Sequence, residues 1–160
     1  MFIALDDEQA ALRDELRQYY RDLMTPEVRR SLEHEEGTGP LRRQIVEQLG
    51  TDGWITMGWP EEFGGQGKSA VEQFLFYDET MRAGSPAPML TINTVGPTIM
   101  EYGTEEQKAF FLPEISAGRL HFCIGYSEPD AGTDLASLTT RAVRDGDEYV
   151  LNGQKTWTSL

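Results

Sequence analysis

The sequence predicts an α+β fold in two parts: an N-terminal antiparallel α-helical bundle over residues 1–118, then the start of an antiparallel β domain over residues 119–160. Three observations predict it. Apolar residues recur three and four apart from Leu12 to Leu112, the period of helices with one buried face. Helix-start signals repeat along the same stretch, at Thr25-Pro26, Ser69 to Glu72 and Thr104 to Gln107. After Gly118 the period changes to alternation, and Asp145-Gly146 is a hairpin turn signal.

The elements follow in order. Asp6 and Asp7 are good N-caps for a helix carrying Leu12, Leu16, Tyr19, Tyr20 and Leu23, which ends near Met24. Thr25-Pro26 starts a second helix that frays at Gly37-Thr38-Gly39. A third runs from about Pro40 to Leu49, with Leu41, Ile45 and Leu49 four apart and Gly50 and Gly53 ending it. Gly58 to Gly67 holds four glycines and a proline, so it is a loop with positive-φ backbone. No Gly-Lys-Ser/Thr follows at phosphate-loop spacing, so it is read as a connection.

The helix behind Ser69 carries Val71, Phe74, Leu75, Tyr77 and Met81 and ends at Gly84; its wide apolar face predicts a central place in the bundle. Met89 to Tyr102 is mostly apolar, and Gly96-Pro97 predicts a break or kink within it. Thr104 caps a helix whose Ala109, Phe110 and Leu112 face inward, with Pro113 restarting a last turn to Ala117-Gly118. Leu120 to Tyr126 and Leu138 to Arg144 are predicted strands. Tyr149 to Leu151 returns, Asn152-Gly153 turns, and Lys155 to Ser159 is a further strand. The chain stops there with sheet edges unpaired, so a truncated β domain is expected.

Composition narrows the classes. At 160 residues and 39% apolar content the chain has material for a core, and no apolar run approaches the roughly 20 residues of a membrane-spanning helix. Met1-Phe2-Ile3 passes straight to Asp6-Asp7-Glu8, unlike a signal peptide. A net charge of -13 argues against nucleic acid, while an anionic coenzyme stays compatible because local amides bind phosphate. Cys123 is the only cysteine, so no internal disulfide forms, in keeping with a cytoplasmic location. His121 and Cys123 share a face of a predicted strand, but two ligands do not make a zinc site, and no metal is expected.

Two stretches carry the functional information. Gly125-Tyr126-Ser127-Glu128-Pro129-Asp130-Ala131-Gly132-Thr133-Asp134 is a polar loop at the end of an alternating run, suited to presenting hydroxyls and backbone N–H groups. Glu128 and Asp134 are read as holding its shape, and Asp130 as solvated. The second stretch is Asn152-Gly153-Gln154-Lys155-Thr156-Trp157-Thr158-Ser159. On a strand, Trp157 and Ser159 share one face, which suits a flat heteroaromatic ring, although taken alone such a pair is more often an ordinary core tryptophan beside a serine.

The first stretch resembles the acyl-CoA dehydrogenase signature: small, apolar, Ser/Thr, Glu, two variable positions, small, Gly, Ser/Thr, Asp. Only Tyr126 departs, standing where the family usually has an aliphatic. The second resembles the family's Asn-Gly-x-Lys-x-Trp-Ile-Thr strand, with Thr158 for Ile and Ser159 for Thr. The resemblance implies a β-barrel-like middle domain here and a C-terminal helical bundle that these residues lack. It implies FAD as cofactor, with Trp157 stacked on the isoalloxazine and Ser159 donating to its N5 edge. Ser127 and Thr133 would bond the pyrimidine end, aided by backbone from Ile124 through Tyr126 to Gly132, and Thr133 would also meet the acyl-CoA substrate. The implied reaction is α,β-desaturation of an acyl-CoA, with electrons passed to an electron-transferring flavoprotein. The family's basic Glu would lie beyond residue 160, so no catalytic residue is assigned and the chain alone is expected to be inactive. Met89, Leu90, Ile92 and Val95 line an acyl pocket by analogy, or are ordinary core.

The signature, continued through Leu135-Ala136-Ser137-Leu138, and the upstream Met57-Gly58-Trp59-Pro60-Glu61-Glu62-Phe63-Gly64-Gly65 also resemble actinobacterial subunits that act in mixed pairs on steroid side-chain CoA thioesters. A homo- or hetero-oligomer with a related subunit is therefore expected. Two other classes stay open: a flavin-dependent oxidase or monooxygenase on the same scaffold, and a non-catalytic partner subunit or helical binding module.

Overall fold

The structure is a computed structural model that describes residues 4–35 and 39–158. The chain divides into two compact units, Met1–His121 and Phe122–Leu160. The first is helical and the second carries an antiparallel hairpin, the fold class that the sequence predicts.

Helix α1 (Asp7–Leu23) opens on a capping box: Asp6 accepts the Gln9 N–H at 2.8 Å, and Gln9 accepts the Asp6 N–H at 3.2 Å. Leu16, Tyr20 and Met24, one turn apart, form its buried stripe. Helix α2 (Pro26–Glu33) starts at Thr25 with Pro26 in its first turn. It stops before the expected fraying point, most of which lies outside the described residues.

Helix α3 (Pro40–Thr51) runs through Gly50, which does not end it. A β-carbon on Gly50 would collide with the backbone of Ala117, so this glycine is a point of close approach within the helix. Gly53, at φ +79°, makes the stop: its N–H reaches the Gly50 carbonyl and the Trp54 N–H reaches that of Leu49, a Schellman closure.

The Gly58–Gly67 connection contains a 3₁₀ turn at Glu61–Phe63 and uses positive φ at Gly64 and Gly67. Thr56 and Ser116 tie it down, both donating to the Gly64 carbonyl, at 3.2 and 3.3 Å. Helix α4 (Ala70–Ala83) starts at the expected Ser69–Glu72 capping box and packs against α1. Its face is not the expected one. Phe74 is 63% exposed and Met81 and Val71 are also exposed, while Leu75, Phe76, Glu79, Thr80 and Ala83 are buried. The two polar residues are tolerated because α1 supplies partners: Arg17 Nε lies 2.8 Å from Glu79 Oε1, and Tyr20 Oη 2.5 Å from Thr80 Oγ1.

No break occurs at Gly96-Pro97. A π-helical turn, Thr91–Val95, leads directly into α5 (Gly96–Tyr102). The Gly96 N–H reaches the Thr91 carbonyl, and Pro97 has no N–H with which to continue that series to Ile92. The Trp59 indole N–H takes the Ile92 carbonyl instead, at 2.9 Å.

Helix α6 (Glu105–Ser116) opens on the Thr104–Gln107 capping box and packs against α5. Leu112 and Ile115 are buried, but Ala109 and Phe110 face outward. Pro113 lies within this single helix and restarts nothing. The carbonyl it leaves without an N–H is that of Ala109, a residue on the exposed side of the helix.

In the second unit, β1 (Arg141–Asp145) pairs antiparallel with β2 (Glu148–Asn152), with Val143 opposite Val150. The expected strands at Leu120–Tyr126 and Lys155–Ser159 do not form among the described residues. Residues 120–126 and 155–158 approach each other through the loop contacts given below, without the regular ladder of a paired strand. Strand β1 begins three residues later than expected, because the Thr139 and Thr140 N–H groups bind Glu128. Asn152-Gly153 makes no turn; the chain passes Gly153, where a side chain would collide with Thr140.

Candidate functional site

The two sequence stretches singled out above meet in the second unit. Ser127 O accepts the Thr156 N–H at 2.9 Å. Lys155 Nζ donates to Tyr126 O at 3.1 Å and lies 3.0 Å from Glu128 Oε1. The loop closes on itself between Glu128 and Ala131, each N–H bonded to the other's carbonyl at 2.7 and 3.2 Å.

Glu128 is the hub. It is 7% exposed, yet its carboxylate accepts the Thr139 N–H at 2.7 Å, the Thr139 hydroxyl at 2.9 Å, the Thr140 N–H at 2.9 Å and the Lys155 ammonium. These donors, Thr140 and Thr139 first, hold its carboxyl well below the usual carboxylate range. A carboxylate so fully engaged is structural, in keeping with the shape-holding role read from the sequence.

Apart from Ala131, which is buried, the remaining residues of the loop are at least partly accessible. Ser127 and Ile124 are half-buried, and Tyr126, Gly132 and Thr133 are exposed. A β-carbon on Gly132 would meet nothing within 4 Å, so the backbone there is open to approach. Trp157 is not on a strand: it has φ +58° and its side chain is 88% exposed. It follows Thr156 directly, so its backbone is held one residue from the bond to Ser127. Trp157 leaves extended geometry, and Ser159, the residue expected to share its face, lies outside the described residues.

What this arrangement offers chemically is two hydroxyls, exposed peptide groups and a broad indole, with the Lys155–Glu128 pair turned to support and Asp130 and Asp134 exposed to solvent. That donor set fits the polar edge and flat face of a flavin. Among the described residues no group of three His, Cys, Asp or Glu side chains is placed to hold a metal, and no helix is long and apolar enough to cross a membrane. Sequence reasoning passed over Lys155, Thr139, Thr140 and Thr156. The available signal was the fixed lysine of the second stretch, whose partner is 27 residues away.

The acyl-CoA dehydrogenase N-terminal domain matches residues 6–119, and the acyl-CoA dehydrogenase middle domain matches residues 123–160. The chain belongs to the acyl-CoA dehydrogenase family. It is similar to the ChsE4–ChsE5 complex from Mycobacterium tuberculosis, at 60% identity and a TM-score of 0.92, over 100% of this chain and 41% of that one. It is similar to the Tcur3481–Tcur3483 steroid ACAD, at 54% identity and a TM-score of 0.90, over 99% of this chain and 41% of that one. A glutaryl-CoA dehydrogenase from Mycobacterium smegmatis, solved in complex with FADH2, matches at 29% identity and a TM-score of 0.77, over 96% of this chain and 39% of that one. The chain thus spans about two fifths of the length of these relatives.

Proposed function

We propose that this chain forms the N-terminal and first middle-domain part of an FAD-dependent acyl-CoA dehydrogenase acting on a CoA thioester, in the cytoplasm. The observation that carries the reading is the junction of the two stretches: Lys155 and Thr156 fix the carbonyls of Tyr126 and Ser127, which leaves the Ser127 and Thr133 hydroxyls on an accessible loop. When bound, FAD supplies the hydride acceptor for α,β-dehydrogenation of the acyl chain. Ser127 and Thr133, with backbone from Ile124, Tyr126 and Gly132, hydrogen-bond its pyrimidine end, where donors favour the negative charge of reduction. Trp157 covers its ring face and Ser159 reaches the N5 edge. Thr133 also meets the substrate.

The reaction needs a base for the α-proton. We assign that base to a carboxylate outside these 160 residues, which are then inactive alone. The similarity to a ChsE4–ChsE5 complex and to a steroid ACAD supports a mixed pair with a related subunit and a steroid side-chain CoA thioester as substrate. An electron-transferring flavoprotein is the electron acceptor.

The test is to express the whole polypeptide that carries this sequence, alone and with any homologue encoded beside it, and to record flavin absorbance with a panel of acyl-CoAs. A yellow protein bleached anaerobically by a steroid side-chain CoA is the expected result. A colourless protein in every combination overturns the flavin reading. Oxygen uptake during turnover overturns the dehydrogenase in favour of an oxidase.

A further inference from the structure

The two carbonyls held by Lys155 and Thr156 belong to consecutive residues, Tyr126 and Ser127. A trans peptide points its C=O and N–H in opposite directions. Fixing Tyr126 O toward Lys155 therefore sends the Ser127 N–H away from Lys155, and fixing Ser127 O toward the Thr156 N–H turns the Glu128 N–H away from Thr156, where it closes on Ala131. Lys155 is thus placed to set which way the loop's donors face. It does so from a neutral support, because Glu128 sits beside it and is bound in turn by Thr139 and Thr140.

We infer that Lys155 and Glu128 are positioning residues for the bound flavin: together they aim the Ser127 donors at it, and their opposite charges offset each other in its field. The inference rests on the flavin reading of the same loop, and it assigns the role to two residues that touch no ligand.

The two charges are opposite, which gives a test that loss of structure does not mimic. In the whole polypeptide with its partner subunit, Lys155→Met leaves the Glu128 charge uncompensated and lowers the flavin reduction potential. Glu128→Gln leaves the Lys155 charge and raises it. Both weaken FAD binding by about tenfold, the scale of one lost charge-assisted hydrogen bond. Lys155→Arg keeps charge and donors and restores affinity and potential toward wild type.

Affinity is read by fluorescence titration of the apoprotein and potential by spectroelectrochemistry. Shifts of opposite sign, with rescue by arginine, are the expected result. Shifts of the same sign, or unchanged potentials in a flavin-loaded variant, overturn the inference alone. If Lys155→Met fails to fold, Lys155→Arg and Glu128→Gln carry the test: a raised potential in the second only is the expected result, and its absence overturns the inference. A wild-type protein that binds no FAD overturns the functional reading and this one with it.

Discussion

The indole N–H of Trp59 ends 2.9 Å from the carbonyl of Ile92, the group that Pro97 cannot serve. The same indole occupies the space that a side chain on Gly96 would need. Trp59→Phe removes the donor and leaves a buried carbonyl unpaired, which costs about 1–3 kcal/mol. Gly96→Ala pushes into the ring and costs a similar amount, about 1–3 kcal/mol. The two are not additive, since phenylalanine vacates the space that the alanine methyl fills. Chemical denaturation of both single variants and the double variant measures this; an additive cycle is the result that contradicts the packing described.

Gly50 gives a prediction of sign. At a helix-interior position with free space, alanine would stabilise the helix by up to about 1 kcal/mol. Packed against the backbone of Ala117, it cannot accept a methyl, so Gly50→Ala lowers the melting temperature.

Arg17 and Glu79 test how much of the α1–α4 pairing is electrostatic. Arg17→Met strands a carboxylate whose side chain is 6% exposed. Because Arg17 itself is 42% exposed, the loss is about 1–2 kcal/mol, below that of a fully buried pair. Arg17→Met with Glu79→Leu recovers most of it, because neither partner is left alone. Urea midpoints of the single and double variants decide the matter.

Glu72 sets a pH dependence. The Ser69 hydroxyl and N–H, with Lys68, pull its carboxyl from 4.5 down to about 2. A depressed folded-state value means the stabilisation is complete above about pH 4.5 and is lost as pH falls through about 2. Thermal melts across that window lose stability more steeply for the wild type than for Glu72→Gln. Ser69→Ala removes the cap and costs about 1 kcal/mol at neutral pH.

Local chemistry was legible in the sequence. The Ser69–Glu72 and Thr104–Gln107 boxes and the Asp145-Gly146 hairpin each depend on residues within a few positions of one another. Facing was less so. Phe74, Met81, Ala109 and Phe110 are apolar and exposed, while Glu79 is buried because Arg17 reaches it from 62 residues away. Pro97 predicts a break or kink and Pro113 a restarted last turn, but Trp59 supplies a donor at one and the helix continues along its exposed face at the other. At the candidate site the loop and the shape-holding role of Glu128 were legible, and its partner Lys155 was not, since the two share no local pattern.

The β1–β2 hairpin lies inside the stretch that Lys155 and Glu128 close. Alone, that pair would have to bring together residues 27 apart. With the hairpin formed, Thr140 and Gly153 already lie side by side, and the open segment shrinks to the sequence separation of 11 from Glu128 to Thr139. Closure entropy grows with the logarithm of length, so the hairpin relieves the loop of about 0.8 kcal/mol. A substitution at Gly146, in the hairpin's turn, therefore loosens the Tyr126–Ala131 loop without touching it.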